Sequence, residues 1–261
     1  MSQLIDSENL IRFAVFLAVL LLMMMWELAA PRRARTAPQA IRWFSNLGVS
    51  LLDRGVLQFA VVMGMGVSVK EDGWGLMNWI ALPEWVALVS SIVILDLVIY
   101  LQHRLFHAVP ILWRLHRMHH ADIELDVSSG IRFHPGEALV SMLIKVVAVI
   151  LLAPPVMAIV AFEILLNATS LFNHSNMKLA LPLDRVLRWF VVTPDMHRVH
   201  HSVRQEELNT NFGFNLPWWD RALGTYRDQP KDGHEKMQIG LEQFRSKRDM
   251  RLDQMLMQPF R

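Results

Sequence analysis

Long apolar runs, broken at wide intervals by charge, dominate the first two thirds of the chain. The first, Phe13 to Ala30, is interrupted only by Glu27. As a helix its 18 residues span about 27 Å, close to the hydrocarbon thickness of a bilayer. The second, Val56 to Val69, is extended backwards by Asn46–Leu52, with Asp53 and Arg54 set near an interface. The third, Trp85 to Leu101, runs directly into the first histidines. The fourth, Ala138 to Phe172, is split by Pro154 and Pro155, so it predicts two short helices and not one long one. From about Met177 the chain turns polar and aromatic. The pattern predicts an all-α integral membrane protein with about four membrane helices (about 10–30, 46–69, 82–102 and 138–173). The last forms a short helical hairpin that need not cross fully. Residues 103–137 and 174–261 form a histidine-rich cap. With no Gly/Ser linker and no structural repeat, residues 1–261 are expected to form a single domain.

Composition agrees. Hydrophobic residues make up 53% and charged ones 19%, against about 25% charged in soluble domains. That excludes a disordered chain and disfavours an ordinary water-soluble one. There is no cysteine, so no disulfide framework, thiolate metal site or iron–sulfur cluster can form. The net charge is only +2, and the charges cluster beside apolar runs. They suit membrane flanks better than nucleic-acid contacts, and no nucleic-acid partner is expected. The first run is long for a signal peptide and is preceded by Asp6 and Glu8 with a single Arg12, although Ala29 and Ala30 would allow cleavage. Arg32, Arg33, Arg35 and Arg42, with no acid among them, mark the next loop as cytoplasmic. Counting spans from there places His103 onward and His174 on that same side.

Histidine is the unusual component. There are 11, ten of them between His103 and His201. His103 and His107 form HxxxH. His116, His119 and His120 form HxxHH, as do His197, His200 and His201. On a helix, positions i, i+3 and i+4 share one face, so each cluster aims two or three imidazoles at one point. Eight such nitrogens are too many for one tetrahedral ion and suit two metal ions with open positions. Imidazole chemistry admits iron, zinc, copper or nickel. His134 and His174, single histidines between the clusters, complete the ligand set or serve as supporting or proton-relay groups. His234, in the polar tail, reads as an ordinary structural or surface residue.

Two further stripes point at the histidines. Asp96, Tyr100, His103 and His107 repeat at spacings of 4, 3 and 4, as do Glu163, Asn167, Ser170 and His174. A carboxylate inside an apolar segment is costly and usually faces a partner or a cavity. Asp96, and Asn173 beside His174, are the candidate catalytic groups. Arg104, Arg114, Arg117 and Arg198 interleave with the histidines as interface charges. The aromatic segment from Asn211 to Tyr226 is either an interfacial anchor or a flap over the metals. In the second case Asp220 and Asn211 would support the ligands.

The order HRLFH, HRMHH, RFHPGE, NHSN, HRVHHS and NFGFNLPWWDRALGTY, between about Asp96 and Tyr226, resembles the sterol desaturase/fatty acid hydroxylase superfamily of membrane di-iron oxygenases. That resemblance implies two iron ions, with zinc possible as purified, and dioxygen as co-substrate. It implies hydroxylation or desaturation of an unactivated C–H bond in a membrane lipid (sterol, fatty acyl or ether lipid). His103, His107, His116, His119, His120, His197, His200 and His201 match the superfamily's eight-histidine signature. No flavin, haem or cysteine motif is visible, so an external electron donor (a ferredoxin, cytochrome or reductase) is expected. Two alternatives carry different chemistry. A zinc-dependent membrane hydrolase would lack HExxH and an obvious glutamate base. A non-catalytic metal-binding membrane protein would show no reductant-dependent oxygen uptake.

Overall fold

The computed structural model describes residues 2–61, 73–80 and 82–261, with side chains from Leu10 onward. The far part of the second apolar run, 62–69, lies outside the described residues. Helix α1 (Ser2–Ala29) is followed by α2 (Gln39–Ala60), a single turn α3 (Leu76–Trp79) and α4 (Glu84–Ala108). Pro110 then starts α5 (Pro110–His120), where its missing N–H costs nothing. A 3₁₀ segment (Val127–Ile131) leads into α6 (Pro135–Leu152) and α7 (Val156–His174). The cap holds only short helices: α8 (Leu181–Leu187), α9 (Pro194–His200), α10 (Gln205–Leu208), α11 (Trp218–Ala222), α12 (Gly233–Lys236) and α13 (Leu252–Met257). No strand occurs among the described residues; two isolated bridges are the only extended pairings there.

Among the described residues four helices are long and apolar enough to cross a membrane: Leu10–Ala29 of α1, α4, α6 and α7. The first, third and fourth apolar runs supply these four. The proline-split region supplies two full-length candidates of 18 and 19 residues, because Ala153, in the left-handed conformation at φ 47°, ends α6 and Pro155 immediately precedes α7. The described part of the second run, in α2, is not among the four, and the rest of that run lies outside the described residues. Helix α2 turns Arg42, Asn46 and Asp53 inward and packs against α6. Helix α7 is central, touching α1, α4, α9 and the 3₁₀ segment. That last contact is close. A Cβ at Gly130 would lie 2.6 Å from the Ser170 carbonyl oxygen, so only glycine lets the 3₁₀ turn approach α7.

Buried ion pairs tie cap to helices. The Arg42 guanidinium donates to both oxygens of Asp122 at 2.7 and 2.9 Å and to Asp126 at 2.6 Å. Arg42 is fully buried, so it is a clamp and not the solvated membrane flank its position suggests. The other loop arginines are similarly engaged. Arg32 donates to Asp195, Arg33 to the His234 carbonyl and Arg35 to Glu27. Glu27, buried at the end of α1, also accepts the N–H groups of Val127 and Asn176. Burial raises the Asp122 carboxyl, but Arg42 and Arg132 outweigh it and hold it at about 2.

Candidate metal centre

Nine of the ten clustered histidines converge in two adjoining groups. His103, His107, His116, His120 and His200 form the first; His119, His174, His197 and His201 form the second. Within each group the candidate ligand nitrogens lie within 4.8 Å of one another. Helices α5 and α9 serve both. On α5 the i, i+4 pair His116 and His120 enters the first group and His119 the second. On α9 the assignment reverses: His197 and His201 enter the second and His200 the first. Each HxxHH motif therefore bridges two sites, because neighbouring positions differ by about 100° around a helix.

The rings are held from behind. His103 Nδ1 lies 2.8 Å from the Phe212 carbonyl, and His200 Nδ1 2.7 Å from that of Thr210. His119 and His174 use the carbonyls of Arg132 (3.0 Å) and Ser170 (2.7 Å). His116 Nδ1 lies 2.7 Å from Glu137 Oε1. With Nδ1–H donating outward, Nε2 keeps a lone pair directed inward. Those inward atoms sit close together: His103–His116 and His107–His120 at 3.1 Å, His174–His119 and His174–His197 at 3.0 Å. Burial, followed by neighbouring histidines, pushes His119, His120, His197, His200 and His201 well below the usual imidazole range. Neutral lone pairs facing one another at these distances repel, and a cation between them removes the conflict. The residues present thus fit a metal ion in each group. The all-nitrogen donor set suits a borderline transition metal.

Other expected residues fall elsewhere. His134 is in neither group. Its Nδ1 accepts the Gly136 N–H at 3.0 Å, capping α6, and its Nε2 lies 3.3 Å from the Leu256 carbonyl. His234 is buried, at 4% exposure, the structural one of its two expected readings. Asp96 touches no histidine; it accepts from Asn215 (2.8 Å), the Leu216 N–H (3.2 Å) and Trp219 (2.8 Å). Asn173 is fully buried and donates to the Phe214 carbonyl at 3.1 Å. Asp220 supports His103 indirectly, accepting the N–H groups of Phe212 and Gly213. Asn211 fixes the cap through Met196 and Arg227. Glu137 is the side chain whose role the sequence did not reveal. Its signal is a lone carboxylate in the first turn of an apolar helix. The carbonyl acceptors leave no signal, since any residue type supplies one.

Residues 88–225, just over half of the chain, match the family model described as fatty acid hydroxylase. The chain belongs to the fatty acid hydroxylase family. The resemblance to the wider sterol desaturase/fatty acid hydroxylase superfamily extends to its relatives, and the chain is an oxidoreductase of that kind. It is 27% identical over 226 residues to an ornithine lipid hydroxylase of Rhizobium tropici, covering 83% of this chain and 67% of that protein. Identity is also 27% to an alkylglycerol monooxygenase of Xenopus tropicalis, over 69% of this chain and 41% of the relative. A cholesterol 25-hydroxylase of Mus musculus is 27% identical over 57% of this chain and 50% of its own length. No solved structure matches the chain.

Proposed function

We propose that the chain is an oxygen-dependent membrane lipid hydroxylase in which each histidine group holds one iron ion. The observation that carries this is the split of nine imidazoles into two adjoining groups, the first of which opens on a cavity of about 610 Å³. Paired iron ions would supply the activation of dioxygen that oxidation of an unactivated C–H bond requires. The chain's own residues do the rest. Phe106, Phe133 and Phe214 line the cavity beside His103 and His116, where they exclude water and give an acyl or sterol carbon an apolar seat. The carbonyls behind His103, His119, His174 and His200, and the Glu137 carboxylate behind His116, hold those five imidazoles in one orientation.

The relatives' names, which print an ornithine lipid, an alkylglycerol and cholesterol, favour hydroxylation over desaturation; the substrate is a membrane lipid of the sterol, fatty acyl or ether class. Electrons come from a separate ferredoxin, cytochrome or reductase, because the chain has no cysteine and no cofactor motif of its own. The cap, with the histidines at its base, faces the cytoplasm, and the helices make a multi-pass anchor. Protein purified with zinc in these groups is expected to be inactive until iron replaces it. The test is oxygen uptake by iron-loaded protein in membranes, supplied with reductant and candidate lipids, with the product weighed. A product heavier by one oxygen atom supports the reading. A complete lack of reductant-dependent uptake rejects it.

A further inference from the structure

The cavity that ends on His103 and His116 lies between α2, α4, α6 and α7. Most of its wall is apolar, but one line of α6 is not. Glu137, Ser141 and Lys145 recur every fourth residue and all three line the cavity. At four-residue spacing they share a helix face and stand about 6 Å apart along it. Two of the three are occupied within the protein. Glu137 holds His116, and Ser141 accepts from Gln102 at 2.8 Å. Lys145 makes no hydrogen bond or ion pair among the described residues. Opposite it on α2, Asp53 is 9% exposed, lines the same cavity and has an Oδ1 with no hydrogen-bond partner. Lys145 and Asp53 do not pair with each other. The remaining charge there, Glu163, is already neutralised by Arg12.

Charged groups in the wall of an apolar cavity are costly, and proteins normally pair them or turn them to function. Here a cation and an acid face one cavity, each without a partner among the described residues. A sterol or neutral alkyl ether would leave both uncompensated and would add their desolvation to its own binding cost. A ligand with both charges satisfies both. We infer that this cavity takes the polar head of a zwitterionic lipid, its anionic group on Lys145 and its ammonium on Asp53. This names the substrate class of the site proposed above and rests on that reading only for the cavity being the substrate's. The volume, about 610 Å³, accommodates such a head with the first part of a chain, the remainder lying between helices.

Binding separates the two ideas, because it needs no turnover. Protein as purified would be titrated in detergent with N-acyl ornithine (both charges), N-acyl alanine (anionic only), an acyl amine (cationic only) and an alkylglycerol ether (neutral). The expected result is at least about tenfold tighter binding of N-acyl ornithine than of the neutral ether, roughly 1.4 kcal/mol. Lys145→Met should abolish the preference for the carboxylate, Lys145→Arg should restore it, and Asp53→Asn should abolish the preference for the ammonium. Unchanged metal content in the variants shows that each has folded. Equal affinity for all four probes, or a preference that survives in Lys145→Met, overturns the inference. Turnover of the neutral ether by iron-loaded protein with no head-group preference would overturn it while leaving the oxygenase reading intact. Zwitterion binding without oxygen uptake on any lipid would do the reverse.

Discussion

The indole N–H of Trp219 donates to the Asp96 carboxylate at 2.8 Å, joining the cap to the membrane helix that carries His103. Asp96 lies seven residues before His103, two turns away on α4. The segment it grips supplies the Phe212 carbonyl that orients His103 and the Phe214 carbonyl that accepts from Asn173. Asp96 thus acts on the site through the cap segment. Trp218 does something different. It is 45% exposed, and its N–H donates to the Trp189 carbonyl. Trp189 and Phe190 are exposed nearby in sequence to α8, which suits an aromatic contact with the membrane interface.

The two tryptophans should therefore separate on mutation. Trp219→Phe leaves a buried carboxylate oxygen short of a donor, at a cost of about 1–3 kcal/mol. Metal affinity of the first group and turnover should both fall while the protein stays inserted. Trp218→Ala should leave metal content unchanged. Metal analysis and thermal unfolding of both variants check this; a Trp219→Phe protein with full metal and activity would remove the closing role from Asp96 and Trp219.

Glu137 offers a sharper test, because it touches one group only. Glu137→Ala strips the acceptor from His116 Nδ1. Loss of such a partner typically costs about 10–100-fold in metal affinity. The expected outcome is one weakened site and one unchanged, seen as two phases when a chelator competes for the metals. A single phase, with both sites weakened alike, would show that Glu137 acts on the fold and not on His116.

Much of this arrangement was legible from spacing. The HxxxH and HxxHH motifs place their nitrogens together because a helix repeats every 3.6 residues, and the structure brings together all eight, with His174 as the ninth. What spacing cannot convey is which neighbour goes to which group. His119 and His120 diverge because α4 supplies His103 and His107 to one group and α7 supplies His174 to the other, which is a tertiary fact. The Arg42 clamp is not legible in the sequence for a related reason. In sequence it belongs to a basic run beside an apolar one, and only the return of Asp122 and Asp126 to α2 reveals a buried partner. The helix boundaries around Pro154 and Pro155 were legible in position, but the helices flanking them run longer than the apolar residues alone suggest, extending to Pro135 and His174.

His134 and His119 provide the matching contrast. His119→Ala removes a nitrogen from the second group and should lower its metal content and abolish turnover; His200→Ala should do the same through the first group. His134→Ala should keep both metals. It loses only the α6 cap, worth about 0.5–2 kcal/mol. Loss of metal in His134→Ala, with the protein folded, would return His134 to the ligand set.

The last expectation concerns acid. His234 packs beside Asp195, 3.7 Å from its carboxylate, yet neither ring nitrogen has a hydrogen-bond partner. Burial pushes its imidazole down to about 4; Asp195 opposes this, but Arg198 and Arg32 add to the fall. In the unfolded chain the same imidazole titrates near 6.5. Between those values the unfolded state carries the extra proton and the folded state does not. Stability is therefore fully present above about 6.5 and declines as pH falls towards 4, by about 3 kcal/mol over the whole window. His234→Gln cannot protonate and should lack this slope, at the expense of some stability at neutral pH from a changed buried group. The clustered histidines release metal in acid in both proteins, so their effect cancels when variant and wild type are compared at equal metal content. Denaturant unfolding of the two across the window measures the difference. Parallel pH profiles would mean that His234 is protonated as easily in the fold as in water, and the burial argument for it would fail.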